Sequence, residues 1–395
     1  MAIATKIAAC IERSSWIRKM FEEGARLRAE RGAENIFDFT LGNPSVEPPA
    51  ALRCELIKLA QSPLPGMHRY MNNAGYDDTR AAVAKRLARL CGKPVAGKHI
   101  IMTCGAGGAL NVVLKTLLNP GEEVIILAPF FVEYKFYIDN HGGVPVEVNN
   151  NMDTFQPDLA AIEAAITPQT RAIIINSPNN PTGVIYPAAT LDALGALLTR
   201  KQNELGRDIV VISDEPYARL AYGMEVPPIF ASIANAVIVT SHSKDLALPG
   251  ERIGYLAANP EMTDVDQFME GAVFCNRVLG FVNAPALMQR LVCTLQDESV
   301  DIAAYQAKRD RLYAHLTKIG FTTVKPDGGF YFFPRSPIED DVAFVRHAQK
   351  HGLLLVPGSG FGAPGFFRIA YCVEDDIIDR SFPAWSNLAR EMELS

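Results

Sequence analysis

The chain has 395 residues, 48% hydrophobic and 21% charged, with 38 Lys and Arg against 44 Asp and Glu for a net charge of −6. Such apolar content with so little net charge excludes the disordered and low-complexity classes, and the mildly acidic balance lacks the basic footprint of a nucleic-acid or anionic-membrane binder. The length exceeds the size at which one core stops growing, so a large and a smaller domain are expected.

In chain order, residues 5 to 31 read as a helix, with Trp16, Ile17, Met20, Phe21, Gly24 and Leu27 at helical spacing and an Arg/Glu-rich solvated face. Ile36–Leu41 reads as a strand running into the turn Gly42-Asn43-Pro44. A helix is expected at 77–91. Then strands and helices alternate: strand Ile100–Thr103, helix Gly107–Leu118, strand Glu123–Leu127, helix Phe131–Asn140, an extended Val144–Val148, strand Ala172–Ile175, helix 188–204, and strands Ile209–Ser213 and Val237–Thr240. Short apolar runs without polar alternation suit buried parallel strands between two helical layers. The fold class is therefore α/β, with one large domain over 45–285. After about 285 the pattern changes to a long helical region to 318, extended Thr322–Val324 and Gly329–Phe333, a helix 340–351, strands 353–356 and 366–371, and a last helix from Glu374. With residues 1–44, this 286–395 portion forms a small α+β domain.

Seven cysteines without a CxxC pair point to reduced thiols and a cytoplasmic setting, and Cys104 reads as a small packed residue. The apolar stretch Ile7–Ile11 is too short for a signal peptide, and Val124–Val132 is too short to span a bilayer. His347 and His351 stand four apart on a helix but lack the Glu of a zincin, so no metal site is expected. Gly358-Ser359-Gly360-Phe361-Gly362 does not lie between a strand and a helix of a βαβ unit and reads as a flexible loop.

Four loops follow strands, where an open α/β sheet places its ligands. Thr103-Cys104-Gly105-Ala106-Gly107-Gly108 leads into a helix, as a tight turn or as an anion cradle. Asn176-Ser177-Pro178-Asn179-Asn180-Pro181-Thr182-Gly183 is a polar loop stiffened by two prolines. Ser213-Asp214-Glu215-Pro216-Tyr217 puts an acid at the end of an apolar strand, as a helix cap or as the partner of a cation. Ser241-His242-Ser243-Lys244-Asp245 offers hydroxyls and a lysine, with Arg252 eight residues on.

Taken together, the order and spacing of these loops resemble the fold-type I pyridoxal-phosphate enzymes, specifically the class I/II aminotransferases of the aspartate aminotransferase superfamily, from Leu41-Gly42 to Arg368. The resemblance implies transamination between an α-amino acid and a 2-oxo acid, with pyridoxal 5'-phosphate as cofactor. Lys244 resembles the lysine that forms the Schiff base and then moves the Cα proton. Asp214 matches the partner of the ring nitrogen, and Asn180 and Tyr217 match the residues hydrogen-bonding the ring oxygen. Phe131 matches the aromatic stacked on the ring. Gly105, Ala106, Gly107, Ser241, Ser243 and Arg252 match the phosphate site. Tyr70, in Tyr70-x-x-x-x-Gly75, resembles the tyrosine that reaches the partner's phosphate in a homodimer. Arg368 resembles the arginine that grips the substrate α-carboxylate, near Gly42 and Asn180.

Gly107 stands where one subgroup of aspartate aminotransferases carries a Lys that reads the distal carboxylate. With Tyr70, Phe130, Phe131, Tyr331 and Phe332 as candidate neighbours, neutral or aromatic amino donors are expected over aspartate, unless Arg277 reaches the pocket. Alternatives are a β-lyase or other Cα chemistry on the same scaffold, and a non-enzymatic ligand-responsive regulator, which no basic extension before residue 5 or after residue 390 supports. A nicotinamide dehydrogenase lacks its strand–GxGxxG–helix signature.

Overall fold

Seven strands carry the architecture: β2 (Ile100–Thr103), β3 (Glu123–Ala128), β4 (Val144–Asn149), β5 (Thr170–Asn176), β6 (Val210–Asp214), β7 (Ala236–Ser241) and β8 (Gly254–Ala258), preceded by a short β1 (Phe37–Asp38). They form one sheet in the order β2-β8-β7-β6-β5-β3-β4, in which β8 alone runs antiparallel to its neighbours. The computed structural model describes residues 2–8, 10, 11, 24 and 26–394. Residues 5–8 and 26–31 are helical, while Trp16, Ile17, Met20 and Phe21 lie outside the described residues.

Every residue of β2, β6, β7 and β8 is buried, as expected for strands covered on both faces. On one face Val210, Ile212, Val237 and Val239 pack with Ala109, Val112 and Val113 of the helix Gly105–Leu117. On the other, Val211 and Ile238 pack with Val83 and Leu87 of the helix Asp77–Cys91, which ends at the left-handed Gly92. The sequence reading omits β8. Its Gly254 is required by close approach, since a Cβ there would overlap the Thr240 carbonyl oxygen across the ladder.

The remaining strands form two small sheets: β1 pairs in parallel with β10 (Leu353–Leu354), and β11 (Val356–Pro357), β12 (Phe367–Ala370) and β9 (Tyr331–Phe332) form an antiparallel trio. Around them Tyr305, Leu312, Phe344 and Trp385 build a second core. The expected helical region 285–318 is two helices, Ala286–Thr294 and Ile302–Lys318, and Thr322–Val324 is not a strand. Gly358–Phe361 is a 3-10 turn rather than a flexible loop, and its Phe361 carbonyl accepts from the Phe130 amide at 3.1 Å. His347 and His351 both reach the Glu391 carboxylate, so they clasp the last helix. No group of three or more metal-binding side chains occurs among the described residues, and no described helix is long and apolar enough to cross a membrane.

Candidate active site

The carboxyl ends of β5, β6 and β7 and the N-terminus of the helix Gly105–Leu117 surround a cavity of about 360 Å³. Its lining includes Gly42, Ala106, Gly107, Phe131, Asn180, Asp214, Tyr217, Ser241, Ser243, Lys244, Arg252 and Arg368, brought together from positions more than three hundred residues apart. Gly105 is just behind this wall: a Cβ there would come within 2.7 Å of Arg252 Nη2.

Asp214 terminates β6, opposite Asn176 in β5, whose side-chain amide donates to the Asp214 carbonyl at 2.7 Å. Its Oδ2 accepts from the Tyr134 hydroxyl at 2.5 Å, while Oδ1 is buried with no partner among the described residues. Burial raises the carboxyl to about 7, against the opposing effect of the Tyr134 bond. A carboxylate so placed lacks a cation.

Lys244 sits in the one-turn helix His242–Asp245 that follows β7, and its Nζ donates to the Gly42 carbonyl at 2.6 Å. Burial lowers its ammonium to about 8, with Arg368 and Arg252 pushing the same way. A substantial neutral fraction near pH 8 makes it a proton acceptor.

Arg368, on β12, is held by both ends of its fork. Nη1 donates to Asn180 Oδ1 at 3.0 Å and Nη2 to the Thr40 carbonyl at 2.5 Å, while Nε is buried without a partner among the described residues. The guanidinium stacks 4.8 Å from the ring centroids of both Tyr331 and Phe361. Tyr331 in turn shares a hydroxyl contact of 3.0 Å with Tyr217. A Cβ at Gly42 would overlap the Tyr331 hydroxyl, so the N-terminal turn passes this wall only as glycine.

Arg252 adopts a left-handed backbone, φ 52, and its Nη1 donates to Pro249 at 2.9 Å. Ser241 and Ser243 line the cavity with it. Hydroxyls, a guanidinium and the N-terminus of a helix form an anion-binding end, and the lone Asp214 oxygen forms a cation-binding one. Pyridoxal 5'-phosphate carries a phosphate, a basic ring nitrogen and an aldehyde, and these residues fit all three.

Tyr70 is 90% exposed and outside the cavity. Of the expected aromatic neighbours, Phe131 and Tyr331 line the cavity, but Phe130 and Phe332 do not. Phe130 is buried beneath Gly362, where a Cβ would come within 2.7 Å of its ring, and Phe332 stacks against Tyr313 in the second core. Arg277 lies in the last turn of the helix Val265–Val278 rather than in a loop, is exposed, and stacks on Phe274. Reading the sequence missed Tyr134, Tyr137, Asn176 and Phe361. Tyr134 stands three residues after Phe131, the spacing that aligns side chains at a helix start.

The family model for aminotransferase class I and II matches residues 34–381. A probable aspartate/prephenate aminotransferase of Thermus aquaticus is 32% identical over 365 residues, covering 90% of this chain and 92% of that one. An aspartate/prephenate aminotransferase of Thermus thermophilus is 31% identical over 375 residues, covering 92% of this chain and 93% of that one. Among solved structures, an amino transferase from Eubacterium rectale superposes with a TM-score of 0.96 at 37% identity, covering 99% of each chain. Thermus thermophilus aspartate aminotransferase with maleate gives 0.85 at 26% identity, covering 98% of this chain and 100% of that one.

Proposed function

The chain belongs to the class I and II aminotransferases, and from that membership we propose that the cavity around Lys244 and Asp214 is where its amino-group transfer occurs. It is a pyridoxal-phosphate-dependent enzyme acting on an amino acid and a 2-oxo acid. When bound, the cofactor supplies an aldehyde that takes up amino groups and a ring that draws electrons away from Cα.

Lys244 Nζ would be the amine that holds the cofactor through its aldehyde, and, when free, the base within the cavity that takes up the substrate Cα proton. Its depressed ammonium suits both directions of that transfer near neutral pH. Asp214 Oδ1, buried and unmet, would accept from the cofactor's ring nitrogen, whose positive charge would keep the carboxylate ionised, while Tyr134 holds the other oxygen in place. Asn180 and Tyr217 would hydrogen-bond the cofactor's ring oxygen and Phe131 would pack on its ring, all three lining the cavity. Arg252, Ser241, Ser243, Gly105, Ala106 and Gly107 hold the phosphate, with Tyr70 of the second subunit of a homodimer completing it. Arg368 binds the substrate α-carboxylate beside Gly42 and Asn180. Unmet Asp214 Oδ1 at the end of β6, in the cavity that Arg368 also lines, is the observation that carries this reading.

The division of the chain into 45–285 and a small unit of 1–44 with 286–395 is followed only in part by the two cores, since Phe333, Val356, Phe361 and Phe366 pack with the large unit's core and Tyr217, Leu220 and Tyr222 with the small unit's. One adjustment improves it: the helix Ala286–Thr294 packs on the large unit, where Gln289 accepts from the Tyr76 amide at 2.9 Å.

For the amino donor, we infer a neutral or aromatic side chain. Gly107 faces the Tyr137 hydroxyl, Leu41, Leu110, Phe131 and Tyr331 line the rest, and the cavity's cations are Lys244, Arg252 and Arg368, each already assigned. Aspartate is the second reading, because relatives at 31–32% identity are named for it. An aromatic-amino-acid aminotransferase of Thermococcus litoralis is also a relative, at 28%. Incubating the holoenzyme with phenylalanine and no 2-oxo acid tests the reaction. Stoichiometric phenylpyruvate without ammonia supports amino-group transfer; no phenylpyruvate, with pyruvate and ammonia formed from S-methylcysteine in a parallel incubation as methanethiol leaves, means a β-lyase.

A further inference from the structure

A second cavity, of about 530 Å³, lies on the opposite face of the same strands. Strand alternation produces it. In β6, Val210 and Ile212 face the helix Gly105–Leu117 and Asp214 follows them into the first cavity, whereas Val211 faces the other core and Glu215 follows into the second. In β7, Val237 and Val239 lead to Ser241 in the first cavity, and Ile238 leads to Thr240 and His242 in the second. The turn His242–Asp245 divides likewise: Ser243 and Lys244 line the first, His242 and Asp245 the second.

His242 Nδ1 lies 3.2 Å from Asp245 Oδ2, and Arg219 Nη1 lies 3.6 Å from that same oxygen. Asp245 Oδ1 and His242 Nε2 are buried and have no partner among the described residues, in side chains of residues only 6% and 5% exposed. With Nδ1–H donating to the carboxylate, the neutral ring presents a lone pair at Nε2. Two unmet acceptors therefore belong to residues that line one cavity, a costly arrangement unless a donor reaches them. Four carboxylates, Glu215, Glu225, Asp245 and Asp297, line this cavity against two guanidinium groups, Arg86 and Arg219. Burial raises the Glu215 carboxyl to about 7, the behaviour of an acid short of a counter-charge. The apolar walls include Leu87, Phe230 and Tyr255, which suit an organic body better than a hydrated ion.

We propose that this rear cavity is a second binding site, taking a small organic cation whose N–H groups donate to Asp245 Oδ1 and His242 Nε2. It sits directly behind the turn that carries Lys244, so the two sites share one structural element.

Calorimetric titration of the holoenzyme with N-methylguanidinium, at constant ionic strength, tests the proposal. Its delocalised nitrogens are poor nucleophiles at neutral pH and leave the cofactor aldehyde alone. One saturable site per chain is expected, weakened about tenfold or more in Asp245→Asn, which removes a charge-assisted acceptor. Leu90, 53% exposed at the rim, provides a variant that leaves the polar groups intact. Leu90→Lys sets a like charge beside the cavity and is expected to weaken binding while turnover stays unchanged. Absence of saturable binding to the wild type, or undiminished binding to Leu90→Lys, overturns the proposal, and the latter result stands even if Asp245→Asn fails to fold.

Discussion

Replacing Arg368 by alanine removes a guanidinium that is anchored to Asn180 and Thr40 and stacked between two aromatic rings. Those four contacts fix the fork before substrate arrives, so little ordering remains to be done on binding. A substrate α-carboxylate entering the variant would be desolvated without its bidentate partner, a loss of ~3–5 kcal/mol on the scale of broken buried charge pairs. That converts to a fall of about 10²- to 10⁴-fold in kcat/KM, at 1.4 kcal/mol per factor of ten. The same truncation strands the Asn180 and Thr40 oxygens, which lowers stability and not specificity. The discriminating assay compares phenylalanine with phenethylamine, identical but for the carboxylate. Wild-type enzyme is expected to prefer the amino acid by the full factor and Arg368→Ala to lose that preference, with Arg368→Lys in between because it keeps charge without the fork. A variant that loses activity equally on both compounds would refute carboxylate recognition by Arg368.

Lys244→Ala is expected to bind the cofactor noncovalently and to fall at least ~10³-fold in turnover, measured by ultrafiltration of bound cofactor and by steady-state assay. In cofactor-free protein, the Asp214 carboxyl titrates near 7 rather than at its ordinary 3.8, so the folded state holds its proton over a window where the unfolded state has lost it. Stability from this group is present below about pH 4 and is lost as pH rises through 7. Asp214→Asn should therefore raise the melting temperature of cofactor-free protein by ~2 °C or more at pH 8, with the difference shrinking at pH 5, and should weaken cofactor binding; a lower melting temperature at pH 8 would contradict this. Mixing Tyr70→Phe with Lys244→Ala subunits should yield hybrid dimers with one unaltered site and one carrying both lesions, so the isolated hybrid has about half the activity of wild type; a fully active monomer in light scattering excludes the shared site. Measured kcat/KM for phenylalanine and alanine should exceed that for aspartate by ~10-fold or more; aspartate preference abolished selectively by Arg277→Ala would reverse the pocket reading.

The strand-end loops were legible because each combines an apolar run with residues that a plain turn does not need: Asn180 beside two prolines, Asp214 ending β6, Lys244 just after Ser241 and Ser243. Local chemistry of that kind survives in sequence. What escaped was set by tertiary approach. β8 reads as an ordinary apolar stretch, and only its position between β2 and β7 requires Gly254. Tyr134 meets Asp214 across 80 positions, and Phe361 reaches Arg368 from a glycine-rich turn that periodicity cannot distinguish from a mobile loop. The fate of Phe130 and Phe332 follows the same rule: aromatic residues next to site residues alternate to the other side of the backbone and enter the core. The division of β6 and β7 between two cavities also rests on that alternation, and Glu215 takes its different surroundings from being one residue past Asp214.

Reduction of the holoenzyme with borohydride, proteolysis and mass mapping of the labelled peptide tests the central assignment most directly. The account requires the cofactor mass on Lys244, in the peptide that follows β7, at one per chain. Label on any other lysine would contradict it.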